Sequence, residues 1–276
     1  HKPRDATTNP SLLLKAVEKD PNSELVTDAL EYGIEQGRSE EEQVRYAMDK
    51  LAVNVGKEIL SLIPGRVSTE VPAKLSYDQE GTYQYALELR DLYEESDVDT
   101  EDRVLFKIAA TWEGIQAAEK LEQEGIHCNL TLLFSLEQAI ACANAGVTLI
   151  SPFVGRIYDW HSKNGTLPQP YKPEQDPGVQ SVRAIHNYFK QHGHETEIMG
   201  ASFRTPYQIL ELAGCDLLTI SPALLDQLGE MDRDVPRVLS IENLTEVPKR
   251  EISEVDFRTA LTMNAMAWEK LGEGIR

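Results

Sequence analysis

Short strand-like runs alternate with longer helical ones along nearly the whole chain, and each strand-like run carries a polar residue at or near its end. The strand-like runs are 5–9, 67–71, 103–109, 128–133, 147–154, 197–202 and 216–221. Helical patterns at 83–93, 111–123, 136–145, 182–192 and 206–213 fall between them, and the tail 253–275 is also helical. This alternation is the signature of βα units around a parallel sheet. Between Asn9 and Val67 the chain makes an acidic helical excursion. There Val44, Met48, Leu51, Val55, Ile59 and Leu62 recur every three or four residues, which predicts one amphipathic helix stopped by Pro64-Gly65. No composition break or internal repeat divides the sequence, so a single domain over 1–276 is expected.

The expected fold is α/β, a (β/α)8 barrel. Such barrels run to about 250 residues, and the chain has 276. The helical excursion, however, leaves room for only seven strands, near residues 7, 69, 106, 131, 150, 200 and 219, and a closed barrel has eight.

Charge and hydropathy exclude several roles. With 27 basic and 46 acidic residues the net charge is −19, which opposes binding to nucleic acid or to an anionic membrane surface. No run approaches the roughly 18 apolar residues of a membrane span, and mean hydropathy is −0.38. An anionic substrate would have to be held by a few arginines against this field. Cys128, Cys142 and Cys215 form no CxxC pair, as expected of reduced thiols, so a cytoplasmic location and no metal site are expected. The first residue is His1 rather than Met and no targeting segment is visible, which leaves a plastid address ahead of it open.

In a parallel barrel, functional residues sit at the C-terminal strand ends. Reading those ends gives Asn9, Glu70, Lys107, Asn129 with Thr131, Ser151, Ser202 with Arg204, and Ser221. Alternation places Leu105, Lys107 and Ala109 on one face of their strand and Val104, Phe106 and Ile108 on the other. Lys107 therefore projects from an apolar run into the barrel mouth or interior. Desolvation disfavours the ammonium there and frees the amine to attack a carbonyl. The plain alternative is a lysine that snorkels to solvent. Glu70 could shuttle protons through water, or be a solvated loop acid. Asn9, Asn129, Thr131 and Ser151 could bind a polyol, or make local cap and turn hydrogen bonds. Arg156 and Arg204, each just past a strand, could clamp a phosphate or form surface ion pairs.

Several of these segments together carry a family resemblance. They are 5–12 (DATTNPSL), 65–71 (GRVSTEV), Lys107 in its strand, 128–135 (CNLTLLFS), 150–157 (ISPFVGRI) and 199–204 (MGASFR). In order and content they resemble transaldolase in its long-chain form, across residues 1–276. The resemblance implies transfer of a dihydroxyacetone unit from sedoheptulose 7-phosphate to glyceraldehyde 3-phosphate, giving erythrose 4-phosphate and fructose 6-phosphate, within the pentose phosphate pathway. It implies Lys107 as Schiff-base lysine, Glu70 and Thr131 as holders of the catalytic water, Asn9, Asn129 and Ser151 at the dihydroxyacetone moiety, and Thr7 and Phe153 among the substrate-binding residues. Arg156, Ser202 and Arg204 match the phosphate pocket. No cofactor is implied, because the iminium is itself the electron sink, and a homodimer is among the assemblies implied.

Phe153 bears on the choice of reaction: related sugar-phosphate aldolases carry tyrosine there, and phenylalanine points to transfer. Pro72 and Lys74 replace an acidic residue and an arginine after the glutamate strand, and Thr205-Pro206 stands where asparagine is usual after the arginine. The family also has a strand before Asp5, ending in a proton-shuttling Asp, and a final helix continuing past Arg276. Neither has a counterpart in this sequence. The alternatives are a sugar-phosphate aldolase, and an impaired barrel that binds sugar phosphates without turnover. Arg204→Ala should raise KM for phosphorylated sugars far more than for dihydroxyacetone; equal effects on both would make the arginine structural.

Overall fold

A computed structural model describes residues 3–276; His1 and Lys2 lie outside the described residues. Seven strands form one parallel sheet in chain order: Ala6–Thr7 (β1), Val67–Glu70 (β2), Val104–Ala109 (β3), Cys128–Leu133 (β4), Leu149–Pro152 (β5), Glu197–Gly200 (β6) and Leu217–Leu218 (β7). Among the described residues β1 pairs only with β2, and β7 only with β6.

The excursion after β1 is Pro10–Lys19 (α1), Glu24–Gln36 (α2) and Glu40–Leu62 (α3). The crossovers that follow carry Gln79–Glu94 (α4), Thr100–Arg103 (α5), Trp112–Gln123 (α6), Leu136–Asn144 (α7), Val154–Lys163 (α8), Pro177–His192 (α9) and Pro206–Leu210 (α10). Pro222–Gly229 (α11), Glu254–Met263 (α12) and Ala265–Ile275 (α13) complete the chain. Helices α2 and α3 form a tight hairpin, and a Cβ at Gly33 would come within 2.7 Å of the Ala47 Cβ.

The outward faces of the strands supply the main core. Phe106, Ile108, Leu130 and Ile150 pack with helix residues such as Ile115, Leu121, Ile140 and Phe189. The inward faces begin with an apolar layer of Leu105, Leu149 and Met199, flanked by Leu217. Burial on both faces explains the near-continuous apolar runs. The sheet is strongly curled, because Glu197 at the start of β6 is ion-paired with Arg66 just before β2, and lies 3.7 Å from Arg4. In a flat sheet β2 and β6 would be about 19 Å apart, four strand spacings.

The seven expected strands are present, with shorter limits in all but 128–133. The run 147–154 yields a strand only over Leu149–Pro152, since Val154 already starts α8 and Phe153 makes a single bridge to Ala201. The run 216–221 keeps two strand residues before Pro222 opens α11. Helix α9 starts ahead of 182, at Pro177, because the buried Asp176 carboxylate accepts hydrogen bonds from the backbone N–H groups of Gly178 and Val179. The tail divides at Asn264, whose side chain caps α13, and α13 packs on α8 and β4. Helices α5 and α11 escaped the periodicity reading, being too short or too uniformly apolar to show a stripe.

At the N-terminal end of the sheet, Glu122 from α6 joins β4 to β5. Its 8%-exposed side chain accepts from the Cys128 N–H at 2.8 Å, the Thr148 N–H at 2.7 Å and the Thr148 hydroxyl at 2.9 Å. Its second oxygen also lies 2.9 Å from His127 Nδ1. Glu122→Ala orphans two buried amides and should cost about 3 kcal/mol, lowering Tm by roughly 6–12 °C. The hydrogen bond to Glu122 raises the His127 pKa despite partial burial. A raised folded-state pKa gives stability that is full below the unfolded value and lost as pH rises through the folded one. His127→Gln should therefore be most destabilising below about pH 6 and least above about pH 8, read from urea midpoints.

Candidate active site

The C-terminal ends of β1 to β6 converge on one polar cluster above the apolar layer. Register does most of the placing: Glu70 on β2 is the Cα partner of Lys107 on β3, which in turn faces Asn129 on β4. Lys107 is one of the least exposed charged side chains, at 10%, and its Nζ lies 2.7 Å from Glu70 Oε2, with the Glu70 side chain 22% exposed. Nζ also donates to the Thr8 carbonyl at 3.3 Å. The lysine points inward, and its amine is paired with a carboxylate.

Beside it runs a buried relay. The Ser151 hydroxyl donates to Asn129 Oδ1 at 2.7 Å, and Asn129 Nδ2 donates to Ser68 Oγ at 3.0 Å. Thr131 is also buried, and its hydroxyl has no hydrogen-bond partner. Strand β4 carries a register irregularity between Leu130 and Leu133, and Leu132 there has φ +59°. Gln138 from α7 secures that kink by accepting from the Phe134 N–H and donating to the Ala110 and Leu132 carbonyls.

Thr7 is half-buried in β1, in register with Ser68. Asn9 accepts from the Leu12 N–H at 2.9 Å and so caps α1, the plain alternative set out for it; its amide nitrogen remains available. Phe153 stands edge-on to Phe134 and carries the Arg156 guanidinium over its ring, 4.8 Å from the centroid. Burial, with the Arg204 cation nearby, lowers the Arg156 pKa, and Glu273 opposes the shift. Ser202 adopts φ +62°, and its hydroxyl accepts from Arg204 Nη1 at 3.3 Å. Helix α8 starts against this loop: the Val154 and Gly155 N–H groups donate to the Ala201 and Ser202 carbonyls, and a Cβ at Gly155 would lie 2.0 Å from the Ser202 oxygen. The helix start is thus spent on the backbone, leaving the two arginines as the cations beside this loop. No three His, Cys, Asp or Glu side chains are grouped to hold a metal ion among the described residues.

Sequence reasoning missed Ser68, Thr8 and Asp159. Ser68 was legible, since it shares the face of Glu70. Asp159 was not, because its partner Arg204 lies 45 residues away. Thr131→Val, which replaces an unpartnered hydroxyl by a methyl, should leave Tm within about 2 °C. Asn129→Ala orphans two serine hydroxyls and should lower Tm by roughly 4–8 °C. Thermal melts of the two variants check both, and similar losses would sink the distinction.

The model of the Transaldolase/Fructose-6-phosphate aldolase family matches residues 1–276. Transaldolase 2 of Salmonella choleraesuis (strain SC-B67) is 57% identical over 276 residues, which is 100% of this chain and 87% of that relative. Transaldolase A of Escherichia coli (strain K12) is 56% identical over 274 residues, 99% of this chain and 86% of that relative. With every sequence segment and strand-end residue of the resemblance inside the matched span, the chain belongs to the transaldolase/fructose-6-phosphate aldolase family.

Proposed function

We propose that the chain is a transaldolase, a transferase that moves a dihydroxyacetone unit between sugar phosphates through a Schiff base on Lys107. The observation that carries this reading is the Lys107–Glu70 pair, 2.7 Å apart at the inner C-terminal end of a curled parallel sheet. The free amine of Lys107 adds to the C2 carbonyl of sedoheptulose 7-phosphate, and water leaves to give an iminium. A base removes the C4 hydroxyl proton and the C3–C4 bond breaks toward the iminium. This releases erythrose 4-phosphate and leaves the dihydroxyacetone enamine. The enamine carbon then attacks the aldehyde of glyceraldehyde 3-phosphate, and hydrolysis frees fructose 6-phosphate and the lysine.

Glu70 is the group placed to take the proton from the amine, and a water between Glu70 and the Thr131 hydroxyl serves the dehydration and hydrolysis steps. The unpartnered Thr131 oxygen supports that water. Asn129 and Ser151, with Thr7 and the free amide nitrogen of Asn9, bind the dihydroxyacetone hydroxyls. Arg156, Ser202 and Arg204 take the phosphate. Phe153 offers no hydroxyl for a water-assisted protonation of the enamine, which favours transfer over simple aldol cleavage. The iminium chemistry needs neither metal nor organic cofactor.

The same reading makes 1–276 one domain of a (β/α)8 barrel, with an eighth strand seated between β7 and β1. The single-sided pairing of those two strands and the curl held by Arg66 and Glu197 support it. A homodimer and a cytoplasmic location belong to this reading too. The three free thiols are in keeping with the location, and no helix of the described residues is long and apolar enough to cross a membrane.

Borohydride trapping tests the proposal. Incubation with fructose 6-phosphate and borohydride should leave a reduced three-carbon adduct on Lys107, visible by mass spectrometry and missing in Lys107→Met. No adduct, or one elsewhere, rejects the Schiff base. A six-carbon adduct, with no cleavage and no transfer to erythrose 4-phosphate, identifies a barrel that binds sugars but does not turn over.

A further inference from the structure

The two arginines of the proposed phosphate pocket are not equivalent. Arg156 rests on the Phe153 ring, and no carboxylate pairs with it among the described residues. Arg204 is committed on both edges. Its Nε and Nη2 donate to Asp159 Oδ2 at 3.1 and 2.7 Å, and its Nη1 donates to the Ser202 carbonyl at 3.1 Å and the Ser202 hydroxyl at 3.3 Å. The Nε–Nη2 edge is a fork that carboxylate and phosphate oxygens bind in the same way. Asp159 lies three residues after Arg156 on α8, so the two share a helix face that looks onto the Ser202–Arg204 loop.

We infer that Asp159 is a built-in competitor of the substrate phosphate for Arg204, a specificity residue that weakens the pocket's hold on phosphate. The inference rests on the reading of Arg156 and Arg204 as the phosphate pair. An incoming phosphate must either displace the Asp159 carboxylate from the fork or sit beside its negative charge, and both lower affinity. Exchange is easy, because the Arg204 and Asp159 side chains are 39% and 43% exposed and an ion pair that open to water is weak. Weak retention suits an enzyme that must release one aldose phosphate and admit another through the same mouth, since uniform binding of the ground state does not speed the chemistry.

The test uses inorganic phosphate as a competitive inhibitor of fructose 6-phosphate cleavage. Asp159→Asn keeps the shape and removes the charge, so Ki for phosphate should fall about two- to fivefold, with the gain shrinking as ionic strength rises. Asp159→Glu should restore the parental Ki. In an Arg204→Ala background, Asp159→Asn should lower Ki by clearly less, because the contested cation is gone and only the nearby charge remains. A Ki that rises in Asp159→Asn would make the aspartate a brace that holds Arg204 in its binding posture, and an unchanged Ki would leave it a surface ion pair; either overturns the inference. Loss of the Lys107 adduct in the parental protein would instead overturn the functional reading, so the two failures are told apart.

Discussion

An amine buried near the end of an apolar strand needs an anion beside it, because an unpaired buried charge is far costlier than a paired one. Lys107 has Glu70, and the pairing follows from strand register rather than from a local motif. With a side-chain period of two, a slip of one residue between β2 and β3 would turn Glu70 or Lys107 to the outer face. The outer face is fully apolar at Phe106 and Ile108, and the first inner layer is Leu105 with Leu149 and Met199. The packing on both faces of the sheet thus fixes the register that holds Lys107 and Glu70 together.

The two ends of the sheet divide the labour. At the N-terminal end, charged groups hold strands in place: Glu122 ties the starts of β4 and β5, and Arg66 reaches across to Glu197 to close the curl. The C-terminal end gathers a different set of features. Thr131 keeps a buried hydroxyl without a partner, Arg156 lacks a carboxylate, and Leu132 and Ser202 hold positive φ. A buried unpartnered hydroxyl and unusual backbone gathered beside a free cation are the pattern expected where a ligand completes the structure.

The net charge of −19 takes on a local meaning in this setting. Most acids lie on outer helices, as in the Glu40–Glu42 start of α3, where they also favour the helix dipole. The mouth concentrates Lys107, Arg156 and Arg204, and even there Glu70 and Asp159 sit against two of the three cations. An anionic substrate would meet a small positive site with its own internal counter-charges, set within a negative shell.

The sequence by itself determined the seven strands in their order, the inward face of Lys107, and the polar ring from Asn9 to Arg204, because a strand's two faces alternate and its end is a local property. The segments of the family resemblance lay there too. Tertiary structure alone decided which polar groups of that ring meet: Lys107 with Glu70, Ser151 with Asn129 and Ser68, Arg204 with Asp159. It also ended β5 at Pro152, where Val154 opens α8. These pairings depend on groups brought together by sheet curvature, helix placement and register from 22 to 61 residues apart in the chain. Local periodicity carries no information at that range.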